Sequence, residues 1–145
     1  MVPPRRRGVA NVRGVPPGKE TSANRAEVTL PRRGDVYLVE FDPTRGSEIR
    51  KTRPAVVIQN DVSNQYSPII IVAAISSHFG DPPYPREALV GPGGKTGLSQ
   101  LSAVILNQIR SIDRQRLLKR IGRIDAATML RVDDALKISL GLIKL

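Results

Sequence analysis

Arg53 is a side chain whose type and position could meet a phosphodiester. It ends a cationic loop, Gly46-Ser47-Glu48-Ile49-Arg50-Lys51-Thr52-Arg53, that feeds directly into an apolar strand opening at Pro54. At such a junction the backbone is held and a guanidinium can be aimed, and its planar fork matches a phosphate with two parallel hydrogen bonds. The competing reading is a solvated basic loop with Arg53 in a structural ion pair. Ser76 closes a second apolar run, where a hydroxyl either lines a cleft or begins a loop. Gln59-Asn60-Asp61 follows Arg53's strand, with amides and a carboxylate able to read base edges or to cap a turn. His78, the sole histidine, could serve as a general base. It has no partner histidine, and its place at the start of a proline-rich loop fits an exposed bystander. Arg110, Arg114, Arg116, Lys119, Arg120 and Arg123 form a basic cluster that suits either phosphate contact or a solvated face. Gly91-Pro92-Gly93-Gly94-Lys95-Thr96 has the look of a phosphate loop. That motif requires a glycine where this chain carries Leu89, so the segment reads as a tight turn.

The elements that must hold these groups follow from the apolar patterning. Val36 to Phe41, Pro54 to Gln59, Ile69 to Ile75, Ala88 to Val90 and Ser102 to Leu106 read as strands, the last extended or followed by Ile109 to Ile112. The unbroken apolar run 69–75 marks a central strand buried on both faces. Asp61 to Pro68 reads as a polar loop, and residues 77–86, with Pro82, Pro83 and Pro85, as a long stiff one. A short helix is expected at Arg114 to Lys119, capped by Ser111 or Asp113. A longer one, capped by Asp125, is expected to run to about Leu142, with Met129, Val132, Leu136, Leu140 and Ile143 as its buried stripe. Strands first and a helix last predict an α+β fold, a strongly bent sheet or small barrel with helices at one end.

Composition bounds the chemistry. The 145 residues leave room for one domain of ordinary size. Without cysteine there is no disulfide, zinc ribbon or thiol nucleophile, and a single histidine excludes a paired-histidine ribonuclease and a multi-histidine metal site within one chain. Three Tyr, two Phe and no Trp argue against a module built on rows of stacking rings. No apolar run reaches the roughly 18 residues of a membrane span, so a cytoplasmic protein with no membrane partner is expected. The formal net charge is +10, which makes a polyanion, nucleic acid above all, the natural partner, with an acidic protein second. Residues 1–30 hold four prolines, three glycines and six basic residues against two acidic ones, with no apolar periodicity. They read as a disordered basic tail ahead of a domain at 31–145 that stays positively charged without them.

Several segments together resemble the MazF/PemK family of toxin endoribonucleases. They are Arg33-Gly34-Asp35-Val36-Tyr37, Gly46-Ser47-Glu48, Arg53 through Asp61, Asn64, Ser67-Pro68 and Val72-Ala73-Ala74-Ile75-Ser76. Leu106 through Leu117 and the terminal Ile138-Ser139-Leu140 continue the likeness, in order and with fitting spacing, over about residues 32–143. The resemblance implies a small SH3-like β-barrel with a C-terminal helix, working as a homodimer. It implies cleavage of single-stranded RNA, usually mRNA, at short sequences without a metal or other cofactor, leaving a 2′,3′-cyclic phosphate and a 5′-hydroxyl. It also implies a cognate antitoxin that blocks the groove. Arg53 matches the family's catalytic arginine. Ser76 falls where relatives commonly carry Thr, keeping the hydroxyl but losing a methyl that restrains its rotamer. Gly46, Ser47, Asn60 and Gln108 are the candidates for RNA contact.

In that reading a ribose 2′-hydroxyl attacks the adjacent phosphorus, while Arg53 and Ser76 donate to the non-bridging oxygens more strongly as charge builds on them. An arginine is a poor base at neutrality, so its weight falls on electrostatic stabilisation rather than proton abstraction. Two readings from other classes remain. A gyrase-poisoning toxin of the same barrel type relies on a C-terminal aromatic, which the ending Ile143-Lys144-Leu145 lacks. A plain RNA-binding module would account for the charge but not for the pairing of Arg53 with Ser76.

Overall fold

The computed structural model describes residues 30–41 and 52–145. Gly46, Ser47 and the tail expected over residues 1–30, apart from Leu30, lie outside them. The described chain forms β1 (Asp35–Glu40), β2 (Thr52–Val57), α1 (Asp61–Tyr66), β3 (Ile69–Ser76), β4 (Glu87–Val90), β5 (Ser102–Asp113), a 3-10 turn (Arg114–Arg116), β6 (Leu117–Arg123) and α2 (Ala126–Ser139). The six strands make one antiparallel sheet in the order β4-β5-β3-β2-β1-β6.

Strand alternation explains why the central strands are apolar throughout. Val36, Val56 and Ala73 stand side by side in the register on one face, Tyr37, Ala55 and Ala74 on the other. The first face continues into Ile75, Val104 and Leu106 and is covered by Met129, Val132 and Ala135 of α2; the second gathers Val39, Phe41, Val57, Ile70, Val72 and Ile112. β3 has the central, doubly buried position expected of its sequence.

α2 starts as expected, with the Asp125 carboxylate accepting from the Thr128 N–H at 2.7 Å. Of its expected stripe, Met129 and Val132 are buried and Leu136 packs against the core, whereas Leu140 and Ile143 lie past the helix end and are exposed. Its far end is pinned by the Ser139 hydroxyl, which donates to the Leu106 carbonyl at 2.6 Å.

Two elements differ from expectation. The polar stretch 61–66 is a helix: the Asn60 side chain accepts from the Ser63 N–H, while the buried Asn64 amide donates to the Gln59 carbonyl and to Asp61. This helix rests on a polar network rather than an apolar stripe, so periodicity carried no sign of it. The helix expected at Arg114 to Lys119 is instead one 3-10 turn, capped by Asp113, and the start of β6. Leu117 and Ile121 are four residues apart, a spacing that both the helical and the strand period satisfy, and pairing with β1 decides for the strand.

The sheet is not closed into a barrel; β4 and β6 are its two edges, and a loop links them. The Arg123 N–H donates to the Lys95 carbonyl at 2.7 Å, joining β6 to the segment that follows β4. Glycine permits the approach. A Cβ on Gly122 would lie inside the backbone of Lys95 and Thr96, and one on Gly97, whose φ is +75°, inside the backbone of Ile121. The tight turn expected in 91–96 falls at residues 93–97, closed by the Gly97 N–H donating to the Gly93 carbonyl at 2.8 Å. This loop is a clasp that leads into Leu98, Ser99 and Gln100, which line one cleft with the ends of β2 and β3.

Candidate active site

Arg53 and Ser76 come from neighbouring strands. The β2–β3 ladder pairs Val57 with Val72, Val56 with Ala73 and Ala55 with Ala74, and stops there. Continued by two residues, the same register would set Arg53 opposite Ser76. Pro54 stands where the pairing ends, since it has no N–H to give a further rung. The strand ends open instead into a cleft of about 340 Å³, lined by Arg53, Pro54, Ile75 and Ser76 and by the clasp residues Leu98 and Ser99. Ser77, His78, Gln100 and Ser102 complete the lining.

The donors in this cleft are held differently. Arg53 is exposed, positioned through its backbone by pairing with Val39 of β1, and among the described residues no carboxylate or carbonyl engages its guanidinium. The structural ion pair weighed above is therefore absent among the described residues. The half-buried Ser76 hydroxyl accepts from the His78 N–H at 3.0 Å, which fixes its oxygen and leaves its proton to donate outward. Pro54, Ile75 and Leu98 supply apolar surface. No carboxylate is among the described lining residues, so the field in the cleft favours an anion.

The other candidates lie elsewhere. Asn60 is exposed, but its side-chain oxygen caps α1, roughly 20 Å along β2 from Arg53 at the usual strand rise. Gln108 is exposed on β5, in the stretch where the pairing with β3 jumps from Ile109 to Ile105. Neither lines the cleft. His78 does, although its sequence context suggested a bystander. The clasp residues Leu98, Ser99, Gln100 and Ser102 escaped sequence reasoning. Their one signal is that Ser99-Gln100-Leu101-Ser102 enters a strand as polar loop, the same junction that singled out Arg53.

The basic cluster is mostly structural. Arg114 donates to the carbonyls of Asn64 and Ser67 at 2.6 Å each, and Arg116 to those of Glu40 and Phe41. Arg110 donates to the Phe41 carbonyl and lies 5.6 Å from the centre of the Phe41 ring. Arg120 and Arg123 converge on the buried Asp35 carboxylate at 3.2 and 2.7 Å, and Asp35 also accepts from the Arg32 N–H. Arg33 spans three elements: its side chain donates to the Ile58 carbonyl and to Asp133 of α2, and its N–H donates to Asp61. That last bond is the chief reason the Asp61 carboxyl is held below the usual carboxylate range.

Residues 32–140 match the family of PemK-like, MazF-like toxins of type II toxin-antitoxin systems. The chain is 43% identical to Endoribonuclease MazF of Staphylococcus epidermidis over 111 residues, 77% of this chain and 92% of the relative. It is 43% identical to Endoribonuclease EndoA of Bacillus subtilis over 112 residues, 77% of this chain and 96% of the relative. Among solved structures, a MazE–MazF complex from Deinococcus radiodurans superposes with a TM-score of 0.65 at 25% identity, covering 79% of this chain and 99% of that one. A mycobacterial endoribonuclease in complex with its cognate antitoxin superposes with a TM-score of 0.64 at 23% identity, covering 79% and 99%.

Proposed function

We propose that this chain, which belongs to the PemK-like, MazF-like toxins of type II toxin–antitoxin systems, is an endoribonuclease that cuts single-stranded RNA and thereby stops translation and growth. The observation that carries the assignment is the open end of the β2–β3 ladder, where Arg53 and Ser76 face one cleft free of described carboxylates. The activities named for the two curated relatives favour the nuclease over the gyrase-binding alternative.

In this reading a phosphodiester enters the cleft with its non-bridging oxygens toward Arg53 and Ser76. The neighbouring 2′-oxygen bonds to phosphorus, the bond from phosphorus to the 5′-oxygen breaks, and a 2′,3′-cyclic phosphate and a 5′-hydroxyl result. The guanidinium offers two N–H groups in one plane and Ser76 one O–H, and all strengthen as the phosphorane gathers charge. Donors already in place need no reorganisation at that moment. No metal enters this scheme. Asn60 and Gln108, outside the cleft, and Gly46 and Ser47, outside the described residues, are proposed as contacts for nucleotides flanking the cut. The partners are single-stranded RNA, a second copy of the chain in a homodimer, and a cognate antitoxin that occludes the cleft, all in the cytoplasm.

The test is to incubate the purified protein with a long single-stranded RNA in EDTA and map the ends. Cyclic phosphates at a recurring short sequence are expected, and Arg53→Ala should lower the rate about 10²- to 10³-fold while the protein stays folded. Bound but uncut RNA would make the protein a binding module, and an Arg53→Ala variant that cuts at the parental rate would remove Arg53 from the site.

A further inference from the structure

The cleft holds donors for an anion, but the reaction proposed for it also requires that a 2′-hydroxyl lose its proton. A guanidinium is a poor proton acceptor at neutrality, which leaves Arg53 as a donor. Pro54, Ile75, Leu98, the serines and Gln100 cannot accept a proton there either. His78 is the one described lining residue that can. Resting on the nuclease reading above, we infer that His78 is the general base of this site.

Three observations support the assignment. His78 lies two residues beyond Ser76, and its N–H donates to the Ser76 hydroxyl oxygen at 3.0 Å, so residues 76–78 form one hydrogen-bonded unit around the anion site. Its side chain is exposed and lines the same cleft as Arg53, and among the described residues no group engages its ring nitrogens. The loop behind it is braced: Glu87 accepts from the N–H groups of Gly80 and Tyr84 at 3.0 and 2.9 Å. The brace and the Ser76 contact hold the backbone of His78 at the cleft, from which its ring swings to a bound 2′-hydroxyl.

The charged surroundings are simple. From β2 the cleft presents Arg53; the clasp presents only the uncharged Leu98, Ser99 and Gln100. On His78's own loop, Asp81 is exposed, Glu87 is engaged by the two N–H groups, and Arg86 lies 4.7 Å from the centre of the Tyr84 ring. In the step itself, neutral His78 takes the 2′-hydroxyl proton as the 2′-oxygen bonds to phosphorus. The 5′-oxygen leaves with the electron pair of its broken bond and takes a proton from a cleft water. The resulting hydroxide removes the proton from the imidazolium, and His78 returns neutral.

The experiment uses a labelled oligonucleotide spanning the strongest cut mapped on long RNA, in EDTA, under single-turnover conditions from pH 5 to 9. Cleavage by the parent protein should rise with pH, as a step that needs a deprotonated base requires. His78→Gln keeps a polar side chain of similar size and should cut about 10²-fold or more slowly at pH 7, with that rise gone. Affinity for the same oligonucleotide carrying a 2′-deoxy sugar at the cut should change less than about threefold. A His78→Gln enzyme with parental rate and profile overturns the inference, as does a rate loss matched by an equal loss of affinity. Both leave the nuclease reading standing, because the parent still cuts; a parent that cuts nothing refutes that reading first.

Discussion

The clasp between residues 91–98 and β6 should couple the link between the sheet's two edges to the shape of the cleft, and Gly122→Ala tests it. The added methyl would lie within the backbone of Lys95 and Thr96. Backbone cannot rotate aside as a side chain can, so the loop must move by about an ångström. Overpacking of this kind costs about 1–3 kcal/mol. The Arg123 N–H to Lys95 carbonyl bond, 2.7 Å long, lies beside the clash, and its loss adds about 1 kcal/mol. A total of about 3 kcal/mol, against a urea slope of about 1.5 kcal/mol/M, moves the unfolding midpoint down by about 2 M. Activity suffers separately, because Leu98, Ser99 and Gln100 are carried on the displaced loop. A shift of about 1 Å in a positioning wall costs on the order of 10²-fold in rate. The assays are urea unfolding followed by circular dichroism, and RNA cleavage at a urea-free temperature where the variant is fully folded. Gly94→Ala is the control, since a Cβ there meets nothing within 4 Å, and both its readouts should match the parent. If Gly122→Ala unfolds and cuts like the parent, the clasp does not support the cleft and the coupling argued here is wrong.

Further outcomes follow from the same contacts. Arg53→Lys keeps the charge but loses the planar fork, so cleavage should fall by at least about tenfold, with the residual rate above that of Arg53→Ala; equal rates for Lys and Arg would show that charge alone suffices. Ser76→Ala should slow cleavage about 10- to 10²-fold, and Ser76→Thr, which restores a donor on a stiffer side chain, should cut at least as fast as the parent. Asp35→Ala strands the Arg32 N–H and two guanidiniums, and should cost about 2–3 kcal/mol in urea unfolding. This is less than the roughly 3–5 of a wholly buried pair, because Arg120 and Arg123 stay 47% and 44% exposed and rehydrate. Asp61 and Asp125 have carboxyls held below the usual range, chiefly by the N–H groups of Arg33 and Thr128. Their contribution to stability is complete above about pH 4 and is lost as pH falls through the lowered folded values. Asp125→Asn keeps a capping oxygen that does not titrate, so its stability should depend less on pH in acid unfolding than that of the parent.

Where the sequence spoke clearly, burial was the reason. The run Ile69 to Ile75 is apolar on both faces because β3 sits inside the sheet with a core on either side. Asp125 announced α2 because a free helix end needs an acceptor. Where the sequence misled, a polar or tertiary device decided. Residues 61–66 are helical through Asn60, Asp61 and Asn64. The arginines from Arg110 to Arg123 looked like one basic face, yet most are tied to carbonyls or to Asp35. A guanidinium carries five donors and no acceptors, so an arginine meant for a phosphate and one meant to gather backbone carbonyls are identical on the page. Only the acceptors within reach tell them apart, and those belong to distant segments.

The same logic explains why the site was half legible. Arg53 and Ser76 each sit at the end of an apolar strand, and the antiparallel register that pairs Ala55 with Ala74 would, continued by two residues, set their positions opposite each other. Hydrophobic patterning that fixes the core thereby constrains the spacing of the two positions, and a one-residue slip of either strand would send its residue to the opposite face from the other. The site's remaining wall has no such guarantee. Ser99 and Gln100 reach the cleft because Gly97 and Gly122 let a loop press against β6, a contact between segments with no shared periodicity. His78 likewise looked idle because its worth depends on what lies across the cleft. A lone imidazole in a loop is commonplace, but this one is hydrogen-bonded through its backbone to Ser76 and lines the cleft that Arg53 lines, which is what singles it out as the base inferred above. The candidate site is thus written in two codes, strand register for Arg53 and Ser76 and loop contacts for Ser99, Gln100 and His78.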